Sequence, residues 1–565
     1  MTVAFTLMGI SCDDSFLEIK PTASLTEEVL TSKDGLEGLL IGTYSALNGR
    51  GNGWHSGATN WLWGSIRGGD ANKGTNAGDF SSMNPIERFE LDPNNPDVNG
   101  KWLGSYEGIA RANRLLATLA VSEDVTDEER TRIAAEARFL RGHFYFELKK
   151  NFNMVPWIDE SVDYSEGAEQ IRNDTDIWPN IEADFQYAYD NLPEEQPAVG
   201  RANKWAAGAY LAKVLLFQNK HAAALPIFTT VIENGKTSDG KKYGLFPTFG
   251  GLFRLANENS EESVFAFQAT GGAQSTDNAN HEYAMNFPYN TLPGNCCGFF
   301  HPSFELASSY RTNAQGLPLL DGSYRDPGNA LKTDMGLQTN DAFTPDDGNV
   351  DPRLDHTVGR RGIPFLDWGP HLGFDWVRDQ SYAGPYTPKK YTYSKAEESS
   401  LDGSGWTPGY MALNFMIIRF ADVLLMAAEC EVEAGSLEKA LEYVNLVRAR
   451  AANSAGWVQN QAGNGNAANY VIGEYTSFTS QDDAREKVRF ERKLELALEG
   501  HRFFDLVRWG IAKPTLDTYL AYEAERIPSH FAGSKFTSPR DEYLPIPQRQ
   551  IDLQGSDILV QNPGF

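Results

Sequence analysis

The sequence is poor in cysteine. Four in 565 residues, Cys12, Cys296, Cys297 and Cys430, cannot staple a fold of this length, and no Cys-x-x-Cys pair suggests zinc. After the first few residues, no run approaches the ~20 apolar residues that span a bilayer. Positive charge is in deficit. A formal net charge of -26 repels phosphate backbones and anionic lipid surfaces, which argues against nucleic acid as a partner. Catalytic signatures are missing too. No Gly-x-Ser-x-Gly, His-Glu-x-x-His or phosphate loop occurs. Among 76 Asp and Glu, no motif singles out the two carboxylates that glycoside hydrolysis needs. His501 lies between two helical stripes and reads as structural, not as a general base. Asp346, Asp347, Asn349 and Asp351 lack the spacing and terminal Glu of an EF-hand and read as a solvated turn. No cofactor and no metal are implied.

Apolar residues are ample at 41%, enough for a large core, and rings are frequent, with 12 Trp and 23 Tyr. Most rings in a protein pack inside it. Trp residues in Gly- and Asn-rich segments have a second use, because loops lie at the surface and the apolar face of a pyranose stacks on an aromatic ring. At the amino terminus, residues 3–10 are almost wholly apolar and run into Ser11-Cys12-Asp13-Asp14. This reads as a lipoprotein signal over 1–12, with Cys12 lipidated after cleavage. No basic stretch precedes it, and Gly9 stands where Leu is usual. The chain is then anchored to a membrane and does not cross it. Cys430, in a helical apolar run, reads as a small buried hydrophobe.

Helical periodicity occupies 24–48, 101–121, 127–151, 174–191, 201–218 and 220–234, with Pro226 set to kink the last of these or delay its start. The clearest pair is 415–452, where Gly435 and Ser436 form a stop and the next N-cap. Small residues at the contact of its two stripes resemble a tetratricopeptide unit, without a clean 34-residue period along the chain. Pattern resumes at 482–510, and the chain ends in Pro- and Gln-rich loops. Residues 49–100 and 236–414 have no period and are rich in Gly, Asn, Pro and rings. The expected fold is mostly α. Helix pairs over 24–48, 101–234 and 415–510 form a scaffold, and the loop-rich remainder packs on it within one domain, 13–565.

Several blocks occur in an order that resembles the SusD/RagB family across nearly the whole chain. They include Ile418-Arg-Phe-Ala-Asp-Val-Leu-Leu-Met-Ala-Ala-Glu429, Asn445-Leu-Val-Arg448, Arg489-Phe-Glu-Arg-Lys-Leu-Glu-Leu-Ala-Leu-Glu-Gly-His-Arg-Phe-Phe-Asp-Leu-Val-Arg-Trp509 and Tyr543-Leu-Pro-Ile-Pro547. Asp351-Pro-Arg353, Gly384-Pro-Tyr-Thr-Pro-Lys-Lys390 and Glu136-Ala-Arg-Phe-Leu-Arg141 agree. The resemblance implies a lipid-anchored protein outside the outer membrane. Such a protein captures an oligosaccharide nutrient, does no chemistry, and acts as a lid over a SusC-like TonB-dependent transporter. Two alternatives stand: a peptide- or protein-binding member of the family, and, more remotely, a secreted glycoside hydrolase.

In SusD-like proteins the loops after the first helix help to form the ligand site. The matching loop here, 54–76, offers Trp54, Trp61 and Trp63 beside Arg67, Asp70, Asn72 and Lys73. The 281–301 loop adds Tyr283, Tyr289 and His301, and the 361–382 loop adds Arg361, Asp367, Trp368, Trp376 and Tyr382. About half of these rings are expected to face solvent. Cys296 and Cys297 either close a vicinal disulfide, whose flat surface would suit a ligand, or remain two thiols filling a loop.

Overall fold

A computed structural model describes residues 26–51, 54–164, 167–272, 276–290, 293 and 296–565. The signal segment and Cys12 lie outside the described residues. The helix expected over 24–48 is broken at Thr31–Ser32 into a single turn, Glu27–Leu30, and α1 Lys33–Ser45, and α2 Pro96–Val121 starts before the expected 101; α3 Asp127–Phe152, α4 Trp178–Asn191, α5 Lys204–Phe217 and α6 His221–Asn234 follow the periodicity. Their starts are chemically marked. Ser32 caps α1, Asn95 with Pro96 opens α2, and Thr126 with Glu129 forms a capping box on α3. Pro226 does not delay α6, which begins at His221 and runs through it. It sits in the second turn, so only one backbone hydrogen bond, back to Ala222, is lost.

Each helix packs on the next, α2 on α3 through to α5 on α6, as in a stack of antiparallel hairpins. The stack then jumps in sequence. α6 packs on α7 Phe420–Ala434, which pairs with α8 Leu437–Ala451, and both rest on α9 Gln481–Glu495. The chain thus leaves the scaffold at Gly235 and rejoins it at Phe420. The neck of this excursion is stapled by two strands, Ser263–Phe267 against Phe415–Arg419, antiparallel. Phe415–Arg419 was expected to begin a helix. Its apolar run is buried on both faces, so the period of a helix and that of a buried strand cannot be told apart there.

The carboxyl-terminal region differs more from expectation. After α10 Arg502–Arg508 come α11 Ala512–Ala524 and α12 Gln548–Gln554, where loops were expected. Pro514 and Pro547 misled the reading, but Pro at or just before a first turn loses no helical hydrogen bond. Within 236–414 the chain is indeed irregular, built from short strands and single turns.

A fully buried ionic network joins the loop layer to the scaffold. Glu495 at the end of α9 accepts hydrogen bonds from Arg353 (2.9 Å), Arg419 (2.6 Å) and Arg450. Arg353 also grips Asp351 and Glu491. Arg448 meets Glu491, Arg419 and Arg450 share Glu262, and Lys390 joins Arg419 on Glu499. Five cations face five carboxylates, and none of these side chains is more than 3% exposed. Burial alone would raise the Glu495 carboxyl, but Arg450, Arg419 and Arg353 hold it well below the usual range. Removing one member leaves buried charge uncompensated. Glu495→Gln is therefore expected to destabilise the protein by about 3–5 kcal/mol in urea unfolding followed by circular dichroism. A change under about 1 kcal/mol would mean that the network carries little of the fold.

Candidate functional site

Strand Ala71–Gly74 pairs antiparallel with Phe299–Pro302, with Asn72 opposite His301 and Gly74 opposite Phe299. Two of the three expected loops are therefore brought together. What they place at this seam is mostly interior. Trp61 and Trp63 lie on a π-helical turn, Trp61–Ile66, and both are buried. Trp61 packs edge-on against Phe300, and the Trp63 indole donates to the His55 carbonyl at 2.7 Å. The turn is drawn inward because Gly64 lies against the backbone of Gly500, with no room for a Cβ.

The polar partners of these rings are buried as well. Arg67 stacks on Phe503 at 3.9 Å and donates to the Asp541 carbonyl. Asp70, pushed up to about 6 by burial, accepts from the Leu498 amide. Asn72 donates to the Ala383 carbonyl. Lys73 is lowered to about 8 by burial, and its ammonium ties the carbonyls of Asn76 and Asp79. Tyr283 sits among Phe300, Tyr391 and Phe415, and buried His301 is lowered to about 4. In the third loop, Trp376 packs edge-on to Phe365 and His371, Arg361 ties the carbonyls of Thr339 and Asp341, and Tyr382 donates to Asn84. All of these side chains are buried. They brace the loops and offer no free face for stacking, which corrects the expectation for Trp61, Trp63, Arg67, Asp70, Asn72, Tyr283, His301, Arg361 and Trp376. The cause is physical: Trp and Arg in a Gly-rich loop also serve to fill a loop layer that has no regular core of its own.

Four expected residues reach solvent. Asp367 is exposed, and its carboxylate accepts the amides of Lys395 and Ala396. Trp368 is half-buried and donates to the Tyr393 carbonyl. Trp54 is half-buried, edge-on to Phe80, which in turn meets Phe299. Tyr289 is half-buried beneath the Arg378 guanidinium at 5.3 Å.

Tyr289 marks a surface cluster that the sequence did not single out. Arg378 donates to the Thr75 hydroxyl at 3.0 Å and pairs with Asp79, and Thr75 donates to Asp79 at 3.0 Å. Gly298, at φ +74°, lies close to Tyr289, His301 and Arg378. Beside it, Cys296 and Cys297 are joined as a disulfide across a cis peptide bond. The Cys297 amide donates to Met285 and that of Gly298 to Phe287. Phe287 also borders Gly409, which places the 402–410 loop next to this segment. That loop carries Trp406, 57% exposed and edge-on to Tyr410. Its setting, Asp402-Gly-Ser-Gly-Trp-Thr-Pro-Gly-Tyr410, is the same Gly-rich Trp signal that drew attention to 54–76. The groups around Tyr289 are charge-balanced by the Asp79–Arg378 pair, with partly accessible rings nearby and with donors and acceptors fixed in pairs. An apolar cavity of about 340 Å³ lies between α1, residues 198–201, the strand Ser263–Phe267 and Thr270, Asp277 and Asn278, the last two next to the 402–410 loop through Tyr410.

The acidic turn is also accounted for by pairing. Asp346 binds Arg311 and Asp351 binds Arg353. His501 is half-buried at the start of α10.

Comparison with known proteins gives one consistent result. Residues 261–565 match the model of the SusD family, and residues 15–216 match one described as starch-binding, associating with outer membrane. SusD-like protein P2 of Formosa agariphila is 26% identical over 100% of this chain and 98% of its own. A laminarin binding SusD-like protein superposes with a TM-score of 0.65 at 23% identity, covering 94% of this chain and all of its own. Surface glycan-binding protein A from Bacteroides thetaiotaomicron, in complex with laminarihexaose, gives 0.63 at 20% identity over 94% and 99%.

Burial separates the rings into two energetic classes. Trp61→Ala is expected to cost about 3–5 kcal/mol through the cavity it leaves. Trp406→Ala is expected to stay within about 0.5 kcal/mol of the parent. Thermal and urea unfolding of both variants check this, and equal effects would contradict the assignment.

Proposed function

The chain belongs to the SusD family, and from that membership we propose that it is a surface glycan-binding protein that captures an oligosaccharide and has no enzymatic activity of its own. The observation that carries the reading is the surface around Tyr289. A neutral saccharide presents flat C–H faces and paired hydroxyls. The exposed ring of Trp406 and the half-buried rings of Tyr289, Trp54 and Trp368 suit the first. The partly exposed Asp79–Arg378 pair, braced from beneath by buried Thr75, suits the second. Structural similarity to a laminarin binding SusD-like protein and to a surface glycan-binding protein in complex with laminarihexaose supports a saccharide over a peptide. The disulfide of Cys296 and Cys297 would add a small flat face between the rings and the 402–410 loop.

Among the described residues, no helix is long and apolar enough to cross a membrane. The proposal includes an anchor at Cys12, on the outer-membrane surface, and delivery to a SusC-like TonB-dependent transporter.

A glycan array probed with the purified protein, with laminarihexaose included, should return a neutral oligosaccharide. In calorimetric titration with it, Trp406→Ala and Tyr289→Ala should each weaken binding up to about tenfold, in line with ~1 kcal/mol per ring. The double variant should nearly abolish binding while its circular dichroism stays that of the parent. Parent-like affinity in all three variants would place the ligand elsewhere.

A further inference from the structure

A second concave site lies on the helical side, about 490 Å³ in volume, walled by α9, α10, α11 and the turn Ser323–Arg325. That size suits a small ligand. It shares no residue with the surface around Tyr289.

Its electrostatics oppose those of the whole molecule. The chain carries -26, yet Arg325, Arg485, Arg489, Lys493 and Arg502 line this cleft against Glu305, Asp482 and Glu486. Two of the carboxylates are already engaged. Glu305 holds Arg325 and Lys493, and Asp482 pairs with Arg485, which also grips Glu433. The Arg502 side chain makes no hydrogen bond or close ion pair among the described residues, although its charge reaches the buried Asp70. Arg489 lies over the Trp509 ring at 4.9 Å, and its buried Nε has no hydrogen-bond partner. Burial lowers the Arg489 guanidinium, Glu429 and Glu433 oppose this, and the nearby cations Arg485 and Arg508 add to it. A half-buried guanidinium without an acceptor is costly, and an incoming oxyanion would relieve that cost with paired, charge-assisted hydrogen bonds. Next to these cations, Trp509 and Phe490 are half-buried rings, with Arg489 and Arg508 over the first and Lys493 over the second.

From this cleft we infer a second binding site that takes an acidic saccharide, its carboxylate or sulfate held by Arg489 and Arg502 and its ring set against Trp509. The inference does not depend on the surface around Tyr289 and would stand if that reading failed.

The test is calorimetric titration of the full protein with glucuronate, glucose and inorganic sulfate. Glucuronate should bind saturably, glucose should not, and sulfate should bind more weakly than glucuronate. Arg489→Gln and Arg502→Gln should each weaken glucuronate by about tenfold or more, the loss of one charge-assisted contact. Arg378→Gln, outside the lining of this cleft, should leave glucuronate binding unchanged. Absence of saturable glucuronate binding, or undiminished binding in both variants, would overturn the site. Sulfate binding as tightly as glucuronate would overturn its saccharide part. Because either variant could disturb folding, the native protein supplies a second measurement. Glucuronate should shield Arg502 from phenylglyoxal, read by peptide mass spectrometry, and modification at an unchanged rate would also overturn the site.

Discussion

The fold turns on Glu495. Its two carboxylate oxygens take hydrogen bonds from Arg353 in the loop layer, Arg419 at the neck of the excursion and Arg450 on α8. An irregular layer of this length cannot hold itself in place by repeating backbone contacts, since its strands come only in pairs. It is held by charge. A buried guanidinium must meet a carboxylate in a fixed geometry, or the cost of stripping its water is not recovered. The network thus specifies which loop meets which helix.

These residues were visible in the sequence before their role was. Asp351 and Arg353, Lys390, Arg419, Arg448, Glu491, Glu495 and Glu499 all fall in the short blocks that carry the family resemblance. The helices were legible for a simpler reason, a 3.6-residue period with marked caps, as at Thr126 and Ser436. Phe415–Arg419 was not, because its four apolar residues run on both faces and Arg419 too is buried, leaving no solvent-facing side to betray the period. α11 was hidden by Pro514. The site was the least legible part. In loops nothing periodic states which way a ring points, so Trp61 and Trp406 look alike in sequence, and only the approach of Gly64 to Gly500 draws Trp61 inside.

Two surfaces of opposite character result. The one around Tyr289 is charge-balanced, since Asp79 meets Arg378 there, and it lies on loops braced from below by buried Trp, Arg and Lys. The cleft beside α9 is cationic and lies on the scaffold itself. A neutral glycan chain and an acidic sugar would be sorted between them by electrostatics alone. The strong negative charge of the rest of the molecule keeps acidic ligands from gathering elsewhere.

Hydrogen–deuterium exchange of the native protein, with and without the saccharide returned by the array, tests the central claim most directly. Protection should concentrate in residues 75–80, 286–290, 296–299, 376–378 and 404–410, while the helices from α1 to α9 exchange as before. Protection centred instead on the helical scaffold, or on the apolar cavity beside α1, would contradict the account.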